Sequence, residues 1–395
     1  MGQKPWNDDV AHAMTFYKFL TLPTGVWPLQ DYNFFATIRS VVTVSCQVAM
    51  LVFQWKELFA GCNGSHANLD SLTIIACNIM AIIKIGCYRF HSRNLIENYE
   101  RAVRDYLETK STRDVEIMRR HALLGKRLCS SLICFSYVST SIFMVAPFFM
   151  VFDDATLNGT SVRKTSLSYP MPSDCTLGSL NVSIGLYCVI SAIDIVLLIS
   201  TCNGNLGNDC LFFGIALHVC GQVEILKIQF SQYKFQKGME KEFSRLISRY
   251  SELLTLADYL VETISVVLVA QLLVSCILIC IIGYQCVLAL QYSDVFVFAK
   301  SLTVLSTFLL QLLIYSYIGD YLTNQMEQVG YAAYKSEWYE LPISRRKDLV
   351  FLLMRSQRLV QIAAAYFFPV NMQTFMSIVK TSLSYLSVLR VMLQT

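Results

Sequence analysis

Long runs of apolar residues alternate with charged segments along this chain. A run of roughly 20 apolar residues crosses about 30 Å of hydrocarbon as an α-helix. The chain contains seven such runs, each bounded by polar or charged residues, at about 37–58, 69–90, 130–152, 177–201, 261–291, 295–321 and 370–392. The pattern predicts an all-α, polytopic membrane protein with seven transmembrane helices.

Three of the segments between these runs, 93–128, 202–260 and 322–369, are too long to be simple turns. Each of them repeats apolar residues at helical spacing. We therefore expect spans three to six to continue beyond the membrane as helices that pack into an anchor bundle. A shorter amphipathic segment at 10–20 cannot span the membrane, and we expect it to lie at the inner surface.

Lys and Arg are distributed unevenly about the predicted membrane. The N-terminal segment and the three long segments carry 23 of them, whereas the opposite side carries two, Arg163 and Lys164. Because basic loops stay in the cytoplasm, the N-terminus is predicted to be cytoplasmic and the C-terminus extracellular. The glycosylation sequons at Asn63, Asn158 and Asn181 all lie on the side poor in basic residues. We expect modification at Asn63 and Asn158, since Asn181 lies close to the membrane.

Composition excludes several functional classes. Hydrophobic residues make up 54% of the chain and charged residues 15%, and the net charge of +4 is spread over several loops rather than concentrated as in a nucleic-acid groove. The sequence contains no catalytic motif and no cofactor fingerprint, so we expect no enzyme. The 14 cysteines follow no metal-ligand spacing. Cys62 and Cys175 lie in outer loops and are candidates for a disulfide, although sequence alone does not establish that they are close together.

Small polar and aromatic residues occur in the outer halves of spans two to six. A cavity with apolar walls and a few hydrogen-bonding groups suits a small, weakly polar ligand. The candidate lining residues are Asn78, Ser139, Phe143, Pro147, Tyr187 and Ser191. The alternative is that they belong to ordinary helix packing, in which such residues are also common.

Ionisable residues within spans are a separate question. Asp194 either lines a polar cavity or makes a structural hydrogen bond, and the structural role is the more common one. Lys84 and Lys300 lie near span ends and are expected to extend to the interface.

The segment 338–359 is amphipathic, with Leu349 and Leu353 on its apolar face and Pro342 as a helix-start signal. We expect that face to contact neighbouring subunits, because no loop of the chain is available to cover it. Pro369 separates this helix from the last span. The chain therefore divides into 1–337, the ligand-binding part, and 338–395, an anchor helix followed by the last span.

Within the last span, Thr381, Ser384, Val388 and Met392 recur at helical spacing. Small polar residues followed by apolar ones suit a pore wall with an apolar constriction. Spacing alone favours an ordinary helix–helix seam, which is the commoner arrangement.

The C-terminal residues resemble those of insect odorant receptors of the odour-tuning kind. The resemblance rests on W-Y-x-L-P with its basic helix, on the A-A-Y-F run, and on F-M-S-I-V-K-T-S-L-S-Y-L-S-V-L-R at 375–390. It implies a ligand-gated, non-selective cation channel in the plasma membrane of olfactory sensory neurons. It further implies a heterotetramer with a shared co-receptor, membrane lipid around it, small volatile odorants as ligands, and a gate at Val388 and Met392.

Three alternatives compete with this interpretation. A gustatory-type channel of the same superfamily would carry a different C-terminal motif. A seven-helix G-protein-coupled receptor would have the opposite orientation and the D-R-Y and N-P-x-x-Y motifs, which are absent from their expected places. A transporter would show internal repeats and broken helices in matched halves, and the sequence shows neither.

The predicted orientation can be tested with epitope tags. A tag at residue 1 should be detected only after cells are permeabilised, whereas a tag after Thr395 should be detected on intact cells, because 23 basic residues hold the first side in the cytoplasm. The reverse staining pattern would contradict both the orientation and the resemblance.

Overall fold

The chain folds into a bundle of long helices. The computed structural model describes residues 6–31, 33–60, 65–157, 169–177, 184–234, 240–358, 360–365 and 368–394. The first half contains α1 (Asp8–Thr21), α2 (Phe34–Ala60), α3 (Ser65–Phe90), α4 (Ser92–Glu108), α5 (Thr112–Leu157), α6 (Asp174–Leu177) and α7 (Ile184–Cys202). The second half contains α8 (Asn208–Gln232), α9 (Glu240–Gln291), α10 (Val295–Tyr334), α11 (Ile343–Ser356), β1 (Ala363–Ala364), β2 (Phe368–Pro369) and α12 (Met372–Gln394).

Within the described residues, six helices are long and apolar enough to cross a membrane: α2, α3, α5, the joined α7–α8 helix, α9 and α10. The seventh predicted span corresponds to α12, whose 23 residues would extend about 34 Å at ~1.5 Å per residue. α12 is less apolar than the others because it carries Lys380, Arg390 and several Ser and Thr residues. The all-α class and the seven helical segments are thereby confirmed.

The long helices continue well past a membrane's thickness. α5 has 46 residues, α9 has 52 and α10 has 40, against the ~20 that a bilayer core needs. The predicted extensions are therefore helical. They pack around α8, which is buried over most of its length.

A network of charges ties α4, α8 and α9 together within this extended part. Asp105 accepts a hydrogen bond from Arg249 Nη2 at 2.8 Å, and it lies 3.2 Å from His218 Nε2. Burial raises the pKa of Asp105, but the hydrogen bond to His218 and the charges of His218, Arg249 and Arg101 outweigh it. The pKa therefore lies below its ordinary value. His218 also packs against Tyr106, so its role here is structural.

A second ion pair lies in the centre of the bundle, where Lys84 and Asp209 are both fully buried. Lys84 Nζ is 2.7 Å from Asp209 Oδ1, and it also donates to the Asn205 side chain. Gln311 and Tyr315 donate further hydrogen bonds to the Asp209 carboxylate. The expectation that Lys84 extends to the interface was therefore wrong, because a buried carboxylate with two more donors holds the ammonium group in the interior.

The joint between α7 and α8 explains how Asn205 reaches Lys84. Residues Asn203–Gly207 form one turn of π-helix, which widens the helix locally and turns its side chains relative to a regular α-helix. Gly204 allows close approach of α3, since a Cβ atom there would lie 3.2 Å from that of Ala81. The wide turn thus directs an amide group toward the centre of the bundle.

The last helix is fixed to α10 at its beginning. β1 and β2 pair antiparallel just before it, and the Met372 amide donates to the Asp320 carboxylate at 2.9 Å. A Cβ atom on Gly319 would lie 2.2 Å from the Val370 carbonyl oxygen, so only glycine permits this contact. The N-terminal end of α12 is therefore held firmly against α10.

The central ion pair makes a prediction about stability. Lys84→Met should lower the free energy of unfolding by about 3–5 kcal/mol, because it leaves Asp209 charged and buried without its partner. Lys84→Met with Asp209→Leu should recover most of that loss. Thermal unfolding of the purified chain in detergent measures both variants, and equal destabilisation of the single and double variants would contradict this role for the pair.

Candidate functional site

A cavity of about 110 Å³ lies between α3, α5, α7, the π-helical turn and α10. Its apolar wall is formed by Ile74, Phe143, Leu198, Leu206, Val304 and Phe308. Among the described residues, no Asp, Glu, Lys or Arg side chain lines it. A space of this character suits a small neutral molecule held mainly by apolar contact.

Six hydroxyl groups also face the cavity: those of Thr73, Ser136, Ser139, Thr140, Thr201 and Thr307. Most of them already donate a hydrogen bond to the protein. Thr73, Thr140 and Thr307 each donate to the carbonyl oxygen four residues earlier, at 2.9–3.0 Å. Ser136 contacts the Cys202 thiol, and Thr201 bonds to Gln47 and Asn78.

Ser139 differs from the other five hydroxyls. Within the described part of the chain its hydroxyl has no hydrogen-bond partner, although its side chain is buried at the cavity wall. A hydroxyl that faces the cavity without a protein partner can donate to a ligand that accepts a hydrogen bond. Ser139 is therefore one donor that the described cavity wall offers, and the amide nitrogen of Asn205 is another.

The inner end of the cavity is polar and rests on the central ion pair. Asn205 and Gln311 line the cavity, and both also bond to the Lys84–Asp209 pair. Gln311 is further tied to Gln271 of α9 by a 3.1 Å hydrogen bond. The floor of the cavity is therefore part of a rigid network that joins α3, α8, α9 and α10.

A further ion pair, between Lys300 and Asp70, lies beside the cavity wall. Lys300 of α10 pairs with Asp70 of α3, and the Lys300 ammonium lies 4.7 Å from the centre of the Phe143 ring. Gln285 of α9 donates to Asp70 at 2.9 Å. Lys300 is buried, so the expectation that it extends to the interface was wrong.

The segment 169–177 packs over the same end of the bundle. Met171 packs in one cluster with Ile74 and Leu198, which line the cavity. The buried Glu57 carboxylate accepts hydrogen bonds from the Cys175 and Thr176 amides at 3.1 and 2.8 Å. Cys175 is disulfide-bonded, and Cys62, the partner suggested by the sequence, lies outside the described residues.

The structure places the predicted pocket residues differently. Ser139 and Phe143 line the cavity. Asn78 lies behind the wall, where its side-chain oxygen accepts a hydrogen bond from Thr201. Tyr187 and Ser191 are buried in α7 but do not line this cavity.

The remaining residues singled out from the sequence are Asp194, Pro147, Met392 and the two sequons. Asp194 is buried in α7 and bonds to the Met171 backbone, which is the structural role. The side chains of Pro147 and Met392, and the sequons at Asn63 and Asn158, lie outside the described residues.

Sequence reasoning missed much of the lining. The lining residues that it missed include Cys77, Thr201, Val304, Thr307, Phe308 and Gln311. Val304, Thr307, Phe308 and Gln311 repeat at helical spacing of three and four along α10, and that repeat was the available signal. The contribution of Asn205 could not be read from spacing, because the π-helical turn shifts the register.

Most of the surface of α12 between Lys380 and Val388 is exposed, and the predicted pore residues lie on this exposed surface. Thr381, Ser384 and Val388 are all exposed, and Val388 is 54% exposed. The opposite face packs inward: Ser382 is 5% exposed, and the Leu386 side chain lies against Gly283 of α9. The predicted pore stripe is therefore available to line a surface shared with other subunits.

The predicted anchor face of α11 requires a correction. Leu349 is 3% exposed, and Leu353 packs against the chain's own core near Gly330. That face is thus covered within the chain, because α11 folds back onto α9 and α10. The exposed apolar residues of α11 are instead Ile343, Val350, Phe351 and Met354, which form a different stripe.

Comparison with known proteins gives a consistent picture. The family model described as "7tm Odorant receptor" matches residues 65–383, which is most of the chain. Odorant receptor 67a of Drosophila melanogaster is 26% identical over 203 residues, covering 49% of this chain and 49% of that receptor. Odorant receptor 47a of the same species is 27% identical over 192 residues, covering 46% and 48%. The chain spans about half the length of the relatives that it matches.

Solved structures share the fold. The insect olfactory receptor OR5 from Machilis hrabei in complex with eugenol aligns with a TM-score of 0.75 and 15% identity, covering 97% of this chain and 100% of that chain. A further structure of the same receptor aligns with a TM-score of 0.75 and 16% identity, covering 97% and 99%. At this level of identity the likeness establishes the fold alone.

Proposed function

This chain belongs to the 7tm odorant receptor family, and on that premise we propose that it is an odour-tuning subunit of a ligand-gated, non-selective cation channel. Membership makes it a multi-pass membrane receptor, and it favours this role over a gustatory-type channel or a G-protein-coupled receptor. The observation that carries the proposal is the apolar cavity of about 110 Å³ within the helical bundle.

The cavity suggests which ligands activate the channel. An apolar protein cavity of about 150 Å³ accommodates benzene, so a space of about 110 Å³ suits molecules smaller than benzene, such as a short chain. Its donors include the Ser139 hydroxyl, and the described part of its wall lacks charge. The agonists are therefore small neutral volatiles that accept a hydrogen bond, such as ethers and ketones.

The exposed stripe of α12 supports a pore role. Thr381 and Ser384 would contact water and ions, and Val388 followed by Met392 would form an apolar neck that excludes a continuous water column when narrow. Lys380 is exposed on the same helix, and its charge repels permeating cations. Conduction therefore depends on partner subunits, which fits a heterotetramer with a co-receptor in olfactory neurons.

Assembly uses the exposed stripe of α11 rather than the predicted Leu349 and Leu353. Phe351 is 68% exposed and Val350 is 55% exposed, on a helix outside the membrane spans. Large apolar side chains grouped on one exposed face are typical of a subunit interface. We place the contact with neighbouring subunits there, while the chain's own core covers the other face.

Glycosylation at Asn63 and Asn158 belongs to the same proposal, as does a Cys62–Cys175 disulfide. Both sequons lie on the side predicted to be extracellular, where glycans and disulfides form. The disulfide-bonded state of Cys175 supports the pairing with Cys62.

The ligand proposal is tested through Ser139. Ser139→Ala should raise the half-effective concentration of acetone and butanone by about 2- to 10-fold, since a hydrogen bond contributes ~0.5–1.5 kcal/mol. Butane, which has no oxygen, should be unaffected. Ser141→Ala is the matched control, because Ser141 is exposed and donates to the Tyr137 carbonyl. Equal shifts for all three compounds would contradict the donor role.

The pore proposal is tested with cysteine substitutions in the channel formed with the co-receptor. Ser384→Cys and Val388→Cys should allow an external thiol reagent to block the current, and odorant should accelerate the block by widening the neck. Ser382→Cys is the matched control, since this serine is buried against α9 and α10. Equal block at Ser382 and Ser384 would show that the exposed stripe does not line the pore.

The assembly proposal is tested by co-purification. Phe351→Asp should greatly reduce recovery of the co-receptor, because burying a charge at an apolar interface costs several kcal/mol. Gln361→Asp, at an exposed polar position, should have no effect. Undiminished recovery with Phe351→Asp, in a chain of normal thermal stability, would place the interface elsewhere.

A further inference from the structure

The ion pair beside the cavity joins three helices and one cavity-lining ring. Asp70 of α3 holds Lys300 of α10 and accepts a hydrogen bond from Gln285 of α9, while the Lys300 ammonium lies against the Phe143 ring of α5. An ammonium group is attracted to the face of an aromatic ring, and the attraction is stronger where water is excluded. The position of the Phe143 ring and the geometry of the ion pair are therefore linked.

Phe143 also packs against the cavity side of α9 and α10. It belongs to one cluster with Leu278 and Ile282 of α9 and with Val304 and Phe308 of α10. Phe143, Val304 and Phe308 line the cavity, whereas Leu278 and Ile282 do not. A molecule in the cavity thus contacts residues that pack directly on α9.

The next residue of α9 contacts the last helix. Gly283 adjoins Ile282 in sequence, and a Cβ atom there would lie 3.3 Å from Leu386 Cδ1 of α12. Leu386 is two residues from Val388 on the exposed stripe. The N-terminal end of α12 is fixed by its contacts with Gly319 and Asp320. A shift of α9 at Gly283 would therefore act on the C-terminal half of α12.

We infer that the Asp70–Lys300 pair holds α9 in the position that keeps α12 closed, and that a ligand beside Phe143 releases it. The inference rests on the proposed channel function. In the empty state the Phe143 ring keeps the ammonium in place, and Asp70 in turn holds Gln285. A ligand that displaces the ring weakens these contacts in the closed state only, and such a difference between states is what shifts a population. Lys300 is thus a positioning residue, which does not contact ions.

The test measures how fast an external maleimide labels Val388→Cys on intact cells that express the full channel without odorant. Adding Lys300→Met should raise that rate about tenfold, within the ~5- to 150-fold range typical of coupling between sites. Lys300→Arg, which keeps the cation, should leave the rate near its starting value. Asp70→Asn should act like Lys300→Met, and the double variant should be no faster than either single one, because both remove the same contact.

Two further variants separate coupling from damage to the fold. Arg119→Met, which breaks the exposed Arg119–Asp9 pair, should leave the rate unchanged. Gly283→Ala should raise it with the ion pair intact, since the added methyl group pushes on Leu386.

The inference is overturned if Lys300→Met leaves the labelling rate within twofold of the starting value. It is equally overturned if Lys300→Arg raises the rate as much as Lys300→Met. Because the labelling needs no odorant, a channel that lacks an odorant response would refute the proposed function and still report on the ion pair.

Discussion

The buried pair of Lys84 and Asp209 sets the geometry on which the rest of the molecule depends. Two opposite charges without water are tolerable only when every remaining hydrogen-bonding group nearby is satisfied. Asn205, Gln311 and Tyr315 meet that requirement from the π-helical turn and from α10. The pair therefore fixes how α3, α8 and α10 are placed about one point, and α9 joins them through Gln271. The cavity adjoins this point, and Asn205 and Gln311 form its polar end.

The molecule then combines a rigid part with a part that can move. On the side of the Lys84–Asp209 pair that faces away from the cavity, α8 is buried over most of its length. Charged side chains such as Asp105 and Arg249 connect the helices there. On the cavity side of the pair, the cavity walls are mainly apolar and enclose an open space. There α12 packs on α9 through the contact between Leu386 and Gly283. Close packing transmits displacement, whereas a small cavity leaves room for it. In the proposed mechanism, ligand binding on the cavity side alters α12 without disturbing the bundle on the other side of the ion pair.

Much of the fold follows from the sequence, because runs of apolar residues and their helical spacing are local features. They predicted each span, the extended helices and the start of α11 beside Pro342. The candidate site was harder, since it depends on which faces meet. Ser139 and Phe143 were found because they lie on one face of one helix. Lys84, Lys300 and Leu349 were misplaced because each is covered by partners distant in sequence, and Asn205 was missed because a π-helical turn changes the register.

The central claim is that this chain forms part of the conducting channel and that its ligand opens it directly. The most direct measurement is single-channel recording in a planar bilayer that contains only the purified chain and a co-receptor, with no nucleotide and no other protein. The account predicts that acetone or butanone, added to the side that carries the C-terminus, raises the open probability of a cation conductance within the time of mixing. A bilayer that stays silent until a soluble messenger is added, although both subunits are present and folded, would contradict it.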